Sequence, residues 1–151
     1  MVREQVYLDT TVASAMFDDR APDRQELTRQ FWTERLPDFE PVLSGVVVIE
    51  IEGTPDEVRR QEMRALVAGM RILPNDEDSE GLADEYVRRA VFPRRYRTDA
   101  LHVAIATVCG VRNLVSWNFR HLVRLRTRRE VDLVNALKGY MPIEILAPPE
   151  L

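Results

Sequence analysis

The stretch Val6-Tyr7-Leu8-Asp9-Thr10-Thr11-Val12-Ala13-Ser14 places a single carboxylate at the end of a short apolar run. Residues 6–8 are apolar and β-prone, which predicts a strand, and Thr10 or Thr11 can cap the short helix that follows. Ligands bind just outside the carboxyl ends of strands in α/β sheets, which is where Asp9 is expected to lie. Asp9 can instead simply cap the helix, and this segment alone leaves both interpretations open.

Composition limits the protein classes that this chain can belong to. Its 151 residues are 45% hydrophobic and contain no Pro/Gly/Ser-rich linker, which predicts one domain spanning residues 1–151. The charged fraction of 30% excludes bulk disorder, and the formal net charge of -4 gives no whole-protein signal for nucleic acid. Any basic surface must therefore be local.

Three features predict a cytoplasmic protein that makes no membrane contact. The lone cysteine, Cys109, cannot form an internal disulfide. Arg3 and Glu4 precede only a brief apolar run, unlike a signal peptide. No apolar stretch approaches the roughly 18 residues that a membrane-spanning helix needs.

A second carboxylate, Glu50, is expected on a helix that follows another strand. Residues 40–43 are β-prone, and Ser44 can cap a helix carrying residues 46–51. Glu52 lies two residues beyond Glu50, roughly 200° around a helix, so the two side chains cannot face one site. We select Glu50 because its apolar neighbours favour an inward orientation.

The third carboxylate, Asp99, begins an almost wholly apolar segment at residues 98–109. This pattern predicts a helix buried in the middle of the fold, with Thr98 as its cap and Asp99 at the entrance to the core. The helix N-terminus favours a carboxylate there, and the position also suits a metal ligand. His102 is one turn further on and is expected to be a hydrogen-bonded structural residue.

Asn118 continues this pattern of polar side chains at strand ends. Short strands are expected at residues 71–74, 113–116 and 142–146, and Asn118 follows the second of these. Three carboxylates and one amide are thus expected at corresponding ends of strand–helix units. Each of them alone would be a weak signal, but together they indicate a site.

Arginines cluster on both sides of this constellation although the chain as a whole is acidic. They form either a surface for the phosphate backbone of a nucleic acid or ordinary solvated helix faces. The candidates for RNA binding are Arg94, Arg95, Arg97, Arg120 and Arg124.

Taken together, these segments resemble the PIN domains, in particular the VapC-type toxin ribonucleases of bacterial toxin–antitoxin pairs. The resemblance covers nearly the whole chain: Tyr-Leu-Asp-Thr-Thr at 7–11, the acid-bearing segment 44–52, Asp-Ala-Leu-His-Val-Ala-Ile-Ala at 99–106 and Leu-Val-Ser-Trp-Asn-Phe-Arg-His-Leu at 114–122. It implies an α/β three-layer sandwich whose central, mostly parallel sheet of about five strands is flanked by helices. It further implies an RNA substrate, an antitoxin partner and a homodimer.

By match of motif, Asp9, Glu50 and Asp99 would be the catalytic acids that bind Mg²⁺ or Mn²⁺ for RNA hydrolysis. Such hard cations prefer oxygen ligands, and Mg²⁺ typically keeps several waters, so three acids suffice for one ion. Many family members carry a fourth acid where this chain has Asn118, which leaves a weaker amide ligand or a residue that holds water. Thr10 and Ser116 would orient a ligand or a water.

Three other functions are weighed against this one. A haloacid-dehalogenase-like phosphatase needs a second acid two residues after the first, where this chain has Thr11. A nucleotide-binding domain needs a glycine-rich loop after the first strand, which residues 10–13 do not supply. A non-catalytic PIN-like module that binds RNA or protein, with Asn118 as the trace of a lost metal site, remains open.

Overall fold

The computed structural model describes residues 2–151 and contains one five-stranded sheet in the order β3-β2-β1-β4-β5. Every neighbouring pair of strands is parallel. The strands are β1 (Gln5–Leu8), β2 (Glu40–Ser44), β3 (Arg71–Leu73), β4 (Asn113–Val115) and β5 (Glu144–Leu146). The prediction of a mostly parallel sheet of about five strands is confirmed.

Helices cover both faces of the sheet. Successive residues Val6, Tyr7 and Leu8 of β1 are all buried, although neighbouring side chains of a strand point to opposite faces. Over the described residues the α-helices are α1 (Thr10–Ala15), α2 (Pro22–Gln30), α3 (Gly45–Glu52), α4 (Glu57–Val67), α5 (Glu77–Arg88), α6 (Arg97–Val108) and α7 (Leu125–Leu137). The predicted three-layer sandwich is therefore confirmed. Within residues 2–151, no helix has the length and apolarity to cross a membrane.

Two of the predicted helix caps are wrong. Asp9, not Thr10 or Thr11, caps α1, because its carboxylate accepts a hydrogen bond from the Thr11 backbone N–H. Helix α6 begins at Arg97, so Thr98 lies inside it. The 3₁₀ turn Arg94–Tyr96 leads directly into α6, which therefore begins without a side-chain cap.

The chain order places the carboxyl ends of β1 and β4 at a topological switch point. After β1 the chain adds β2 and β3 to the sheet on one side of β1, and it then crosses back to add β4 and β5 on the other side of β1. The Asp9 N–H donates to the Val115 carbonyl at 3.3 Å, so the two strand ends lie side by side. Ligands of open α/β sheets bind in the crevice at such a point.

Candidate active site

Asp9 lies buried at the end of β1, with three protein donors on its carboxylate. The Ser116 hydroxyl donates to Oδ2 at 2.5 Å, and the Thr11 N–H and hydroxyl both donate to Oδ1. Burial raises the pKa of Asp9 and the charge of Glu50 adds to this, while His102 and the two hydroxyls oppose the shift. The capping role and a site role are compatible, since Oδ2 faces Ser116 and takes no part in the cap.

Glu50 projects from the second turn of α3 towards the same edge of the sheet. Its side chain is 36% exposed, and Oε1 accepts hydrogen bonds from the Thr10 hydroxyl and from His102 Nε2, both at 2.7 Å. Burial raises the pKa of Glu50, but the hydrogen bond and charge of His102 outweigh it and leave that pKa below its ordinary value. Glu52 faces away and pairs with Arg64 at 2.7 Å, so the choice of Glu50 agrees with the geometry.

Asp99 occupies the first turn of α6 and is half-buried. Burial raises the pKa of Asp99 to about 6, and the charges of Asp9 and Glu50 add to this effect against the opposing influence of His102 and Asn118. The three carboxylates therefore lie close enough to repel one another.

Asn118 follows β4 and lies close enough to Asp99 to lower the pKa of that carboxyl. Its Oδ1 accepts the His121 backbone N–H at 2.9 Å. The Asn118 backbone N–H in turn donates to the Ser116 hydroxyl at 2.9 Å, so these hydrogen bonds order the segment after β4.

His102 is the site residue whose contacts the sequence did not reveal. Its imidazole is 3% exposed and bridges Glu50 and Tyr7, whose hydroxyl lies 2.7 Å from Nδ1. The same hydroxyl lies 2.7 Å from the Ser44 hydroxyl. Burial lowers the pKa of His102, but the hydrogen bond and charge of Glu50 outweigh it and raise that pKa overall.

The hydrogen-bond directions in this network are consistent with a protonated imidazole. Burial raises the pKa of Tyr7 far above its ordinary value, so the phenol is neutral and its single proton can go to Ser44. An Nδ1–H of His102 then donates to the Tyr7 oxygen, and the Nε2–H donates to Glu50. The only sequence signal for this role is that His102 follows Asp99 by one helical turn.

Only some of the five arginines predicted to bind RNA lack a partner within the protein. Arg97 forms ion pairs with Glu80 at 2.6 Å and Asp84 at 2.8 Å, so the protein itself already balances its charge. The Arg124 Nε donates to the Thr127 hydroxyl at 2.8 Å. The remaining candidates are exposed and have no carboxylate partner in the described part of the chain; they are Arg94, Arg95 and Arg120.

The donor set suits a hydrated hard cation. Across residues 2–151 no group of three or more acidic, histidine or cysteine side chains is arranged so that it could hold a metal ion. Mg²⁺ keeps several waters and needs only one or two direct carboxylate ligands. A hydrated Mg²⁺ beside Asp9, Glu50 and Asp99 would relieve the repulsion among their negative charges. The metal-binding roles of these acids and of Asn118 stay predictions.

An all-parallel α/β sheet with carboxylates beside its switch point defines the structural class of this chain. No protein-family model matches the chain, and no curated protein matches it in sequence. Solved structures do resemble it. A member of the VapBC toxin–antitoxin family from Mycobacterium tuberculosis, VapBC-5, has a TM-score of 0.54 at 19% identity, over 95% of this chain and 98% of its own.

Two further toxin structures are similar over almost their whole length. VapC20 from Mycobacterium tuberculosis, a toxin that cleaves the sarcin-ricin loop, has a TM-score of 0.58 at 15% identity, over 92% of this chain and 98% of its own. VapBC2 from Rickettsia felis, bound to a DNA fragment from its promoter, has a TM-score of 0.55 at 11% identity, over 95% and 98%. The chain shares the fold of these VapC and VapBC structures, in agreement with the fold that the resemblance to PIN domains implies.

Proposed function

We propose that this chain is a metal-dependent endoribonuclease that hydrolyses RNA phosphodiester bonds, and that it is the toxin of a type II toxin–antitoxin pair. The observation that carries the proposal is that Asp9, Glu50 and Asp99 lie together at the switch point of the sheet. The Thr10 hydroxyl, next to Asp9 in the chain, and His102, one helical turn after Asp99, both hydrogen-bond Glu50 Oε1. The likeness to VapC20, a toxin that cleaves the sarcin-ricin loop, supports RNA as the substrate class.

The chain's own residues orient the acids. A bound Mg²⁺ or Mn²⁺ would neutralise the scissile phosphate and activate a water as nucleophile. Ser116 and Thr11 fix the Asp9 carboxylate, while Thr10 and His102 fix that of Glu50. The Ser116 and Thr10 hydroxyl protons are directed at carboxylates, so neither hydroxyl is proposed as a nucleophile.

The proposal extends to partners and location. Two of the similar structures are VapBC assemblies, which supports an antitoxin that restrains this chain. A homodimer and a cytoplasmic location, where RNA is available, are part of the same proposal.

The test is RNA cleavage by purified chain free of any partner, with and without Mg²⁺ or Mn²⁺. We expect cleavage only with metal, together with a metal-dependent rise in Tm. A ligand at a hundredfold excess over its Kd stabilises a protein by roughly 2.7 kcal/mol, which corresponds to roughly 5–10 °C for a domain of this size. Absence of both effects would overturn the proposal.

A second candidate, a non-catalytic RNA- or protein-binding module, is favoured by one observation. Within residues 2–151 the acids do not converge on a single point, and Asn118 stands where many relatives have a fourth acid. This candidate predicts RNA or protein binding that is unchanged when metal is removed, with no cleavage under any condition.

Replacing Ser116 by Ala tests how far the fixed orientation of Asp9 matters. Ser116 is fully buried, and its loss leaves Asp9 Oδ2 and the Asn118 N–H without their partner. We expect a loss of about 1–3 kcal/mol in the free energy of unfolding and metal affinity lower by about 10–100-fold. Urea denaturation and metal titration measure the two effects.

The matched control is Ser79→Ala, which removes another fully buried hydroxyl at the start of α5. It is expected to reduce stability in a similar way and to leave metal affinity unchanged. Equal loss of metal affinity in both variants would contradict a specific role for Ser116.

A further inference from the structure

A cleft of about 430 Å³, here called the base cleft, opens beside the acidic site between α1, α2 and the segment after β4. Its lining includes Thr10, Glu50, Asp18, Arg24 and Trp117. The volume lies within the roughly 300–1,000 Å³ typical of small-ligand pockets. Because Thr10 and Glu50 belong to both regions, a group bound in the cleft would adjoin the carboxylates.

Arg24 brings positive charge to this cleft. Its guanidinium carbon lies 5.1 Å from the centroid of the Trp117 ring and 5.9 Å from that of Phe119. Within residues 2–151 it has no carboxylate partner, so its charge is available to a ligand. A guanidinium held over aromatic rings keeps its outer face free for stacking.

Hydrogen bonds fix the orientation of the Trp117 ring beneath Arg24. Trp117 Nε1 donates to the Thr28 hydroxyl at 2.8 Å, and the Trp117 backbone N–H donates to the Thr11 hydroxyl at 2.8 Å. Trp117 is only 7% exposed, whereas Phe119, which packs against it edge-on, is 48% exposed. The surface therefore presents one accessible aromatic ring next to an unpaired guanidinium.

A second arginine-lined hollow, of about 740 Å³, lies near the start of α6, and its charges are largely satisfied internally. Arg97 pairs with Glu80 and Asp84, and Arg88 pairs with Glu85. This second hollow also shares no lining residue with the acidic site. The base cleft is the better candidate for a substrate contact.

We propose that the base cleft binds one nucleotide of single-stranded RNA adjacent to the scissile phosphate. Arg24 contacts a phosphate of that strand, and the base stacks on Phe119, which adjoins the cleft by packing against its lining residue Trp117. Unstacked RNA bases bind aromatic rings and guanidinium planes in this way. This inference rests on the proposed ribonuclease function, and it assigns Arg24 and Phe119 as substrate-positioning residues.

The first test measures binding of a fluorescein-labelled, single-stranded RNA 12-mer of mixed sequence by anisotropy, in EDTA so that no cleavage occurs. Phe119→Leu keeps an apolar side chain but removes the aromatic face, and we expect binding weaker by about 5–100-fold. Phe119→Tyr keeps the ring and is expected to bind like the wild type. The control is Leu133→Ala on α7, which alters another exposed apolar residue far along the chain.

The second test concerns the charge of Arg24. For single strands, each lost phosphate contact reduces the slope of log affinity against log salt by about 0.7, and we expect this change for Arg24→Ala. Arg112→Ala removes the same charge from an exposed residue just before β4, at the opposite end of the strands. Its salt slope is expected to match that of the wild type.

The outcomes separate this inference from the proposed function. If Phe119→Leu and Arg24→Ala bind the 12-mer like the wild type, while the wild type cleaves RNA with Mg²⁺, the base cleft inference fails and the nuclease stands. If the wild type neither binds the 12-mer nor cleaves RNA, both fail. Loss of binding in the two variants but not in their controls supports the inference.

Discussion

Replacement of Asp99 by Asn is expected to reduce RNA cleavage by roughly 100-fold or more while making the metal-free protein more stable. A metal ion supplies several kcal/mol of charge stabilisation in the transition state, so loss of one anchoring acid is costly to the rate. The gain in stability of the metal-free protein has a different cause, which is electrostatic repulsion. Asp99 is half-buried near Asp9 and Glu50, and its neutral analogue removes their mutual repulsion.

The size and pH dependence of the gain follow from the pKa of Asp99. Burial and the neighbouring acids raise this pKa from 3.8 to about 6, so the folded protein binds a proton more tightly than the unfolded chain does. The stability that Asp99 contributes to the wild type is therefore lost as pH rises from about 4 through 6. At pH 7 the variant should be more stable by about 1–2 kcal/mol, after allowance for partial exposure to solvent.

Urea denaturation in EDTA at pH 4 to 8 measures this difference, and a cleavage assay with Mg²⁺ measures the rate. Asp78→Asn is the matched control, since Asp78 also lies in the first turn of a helix but is exposed. We expect it to change neither the cleavage rate nor the pH dependence. An Asp99→Asn variant that is less stable than the wild type at pH 7 would show that the acids do not repel one another.

Local pattern was sufficient for the strands and for the choice between neighbouring acids. The run before Asp9 forms the central strand, and the angular argument separates inward Glu50 from outward Glu52. Both results depend on periodicity within a few residues, which a sequence records directly. The choice of Asp9 as a site residue depended also on the family resemblance, because local pattern allowed it to be only a cap.

Contacts between distant segments were not predicted. His102 lies 95 residues from Tyr7 and 52 from Glu50, and Trp117 lies 89 residues from Thr28. Only the order of the strands in the sheet decides which of these segments meet. The wrong prediction that Thr98 caps α6 has a local cause, because the 3₁₀ turn that leads into the helix has no distinctive signal in the sequence.

Truncation of His102 to Ala is expected to have the largest effect on stability among the site variants. The change leaves a cavity of imidazole size in the core and removes one hydrogen bond each from Tyr7 and Glu50. Comparable buried truncations and unpaired buried groups indicate a loss of about 2–4 kcal/mol in the free energy of unfolding. Urea denaturation measures it.

The same variant separates a positioning role for His102 from simple packing. Val103→Ala, at the next position of α6, truncates a fully buried side chain without polar contacts and should also destabilise the protein. With His102 absent, only Thr10 holds the Glu50 carboxylate. We expect this loss of orientation to outweigh the removal of a nearby positive charge, so metal affinity should fall by about 10–100-fold in His102→Ala alone. Titration of Mn²⁺ into both folded variants at low temperature tests this. Equal affinities would mean that His102 fills space and that Thr10 suffices to orient Glu50.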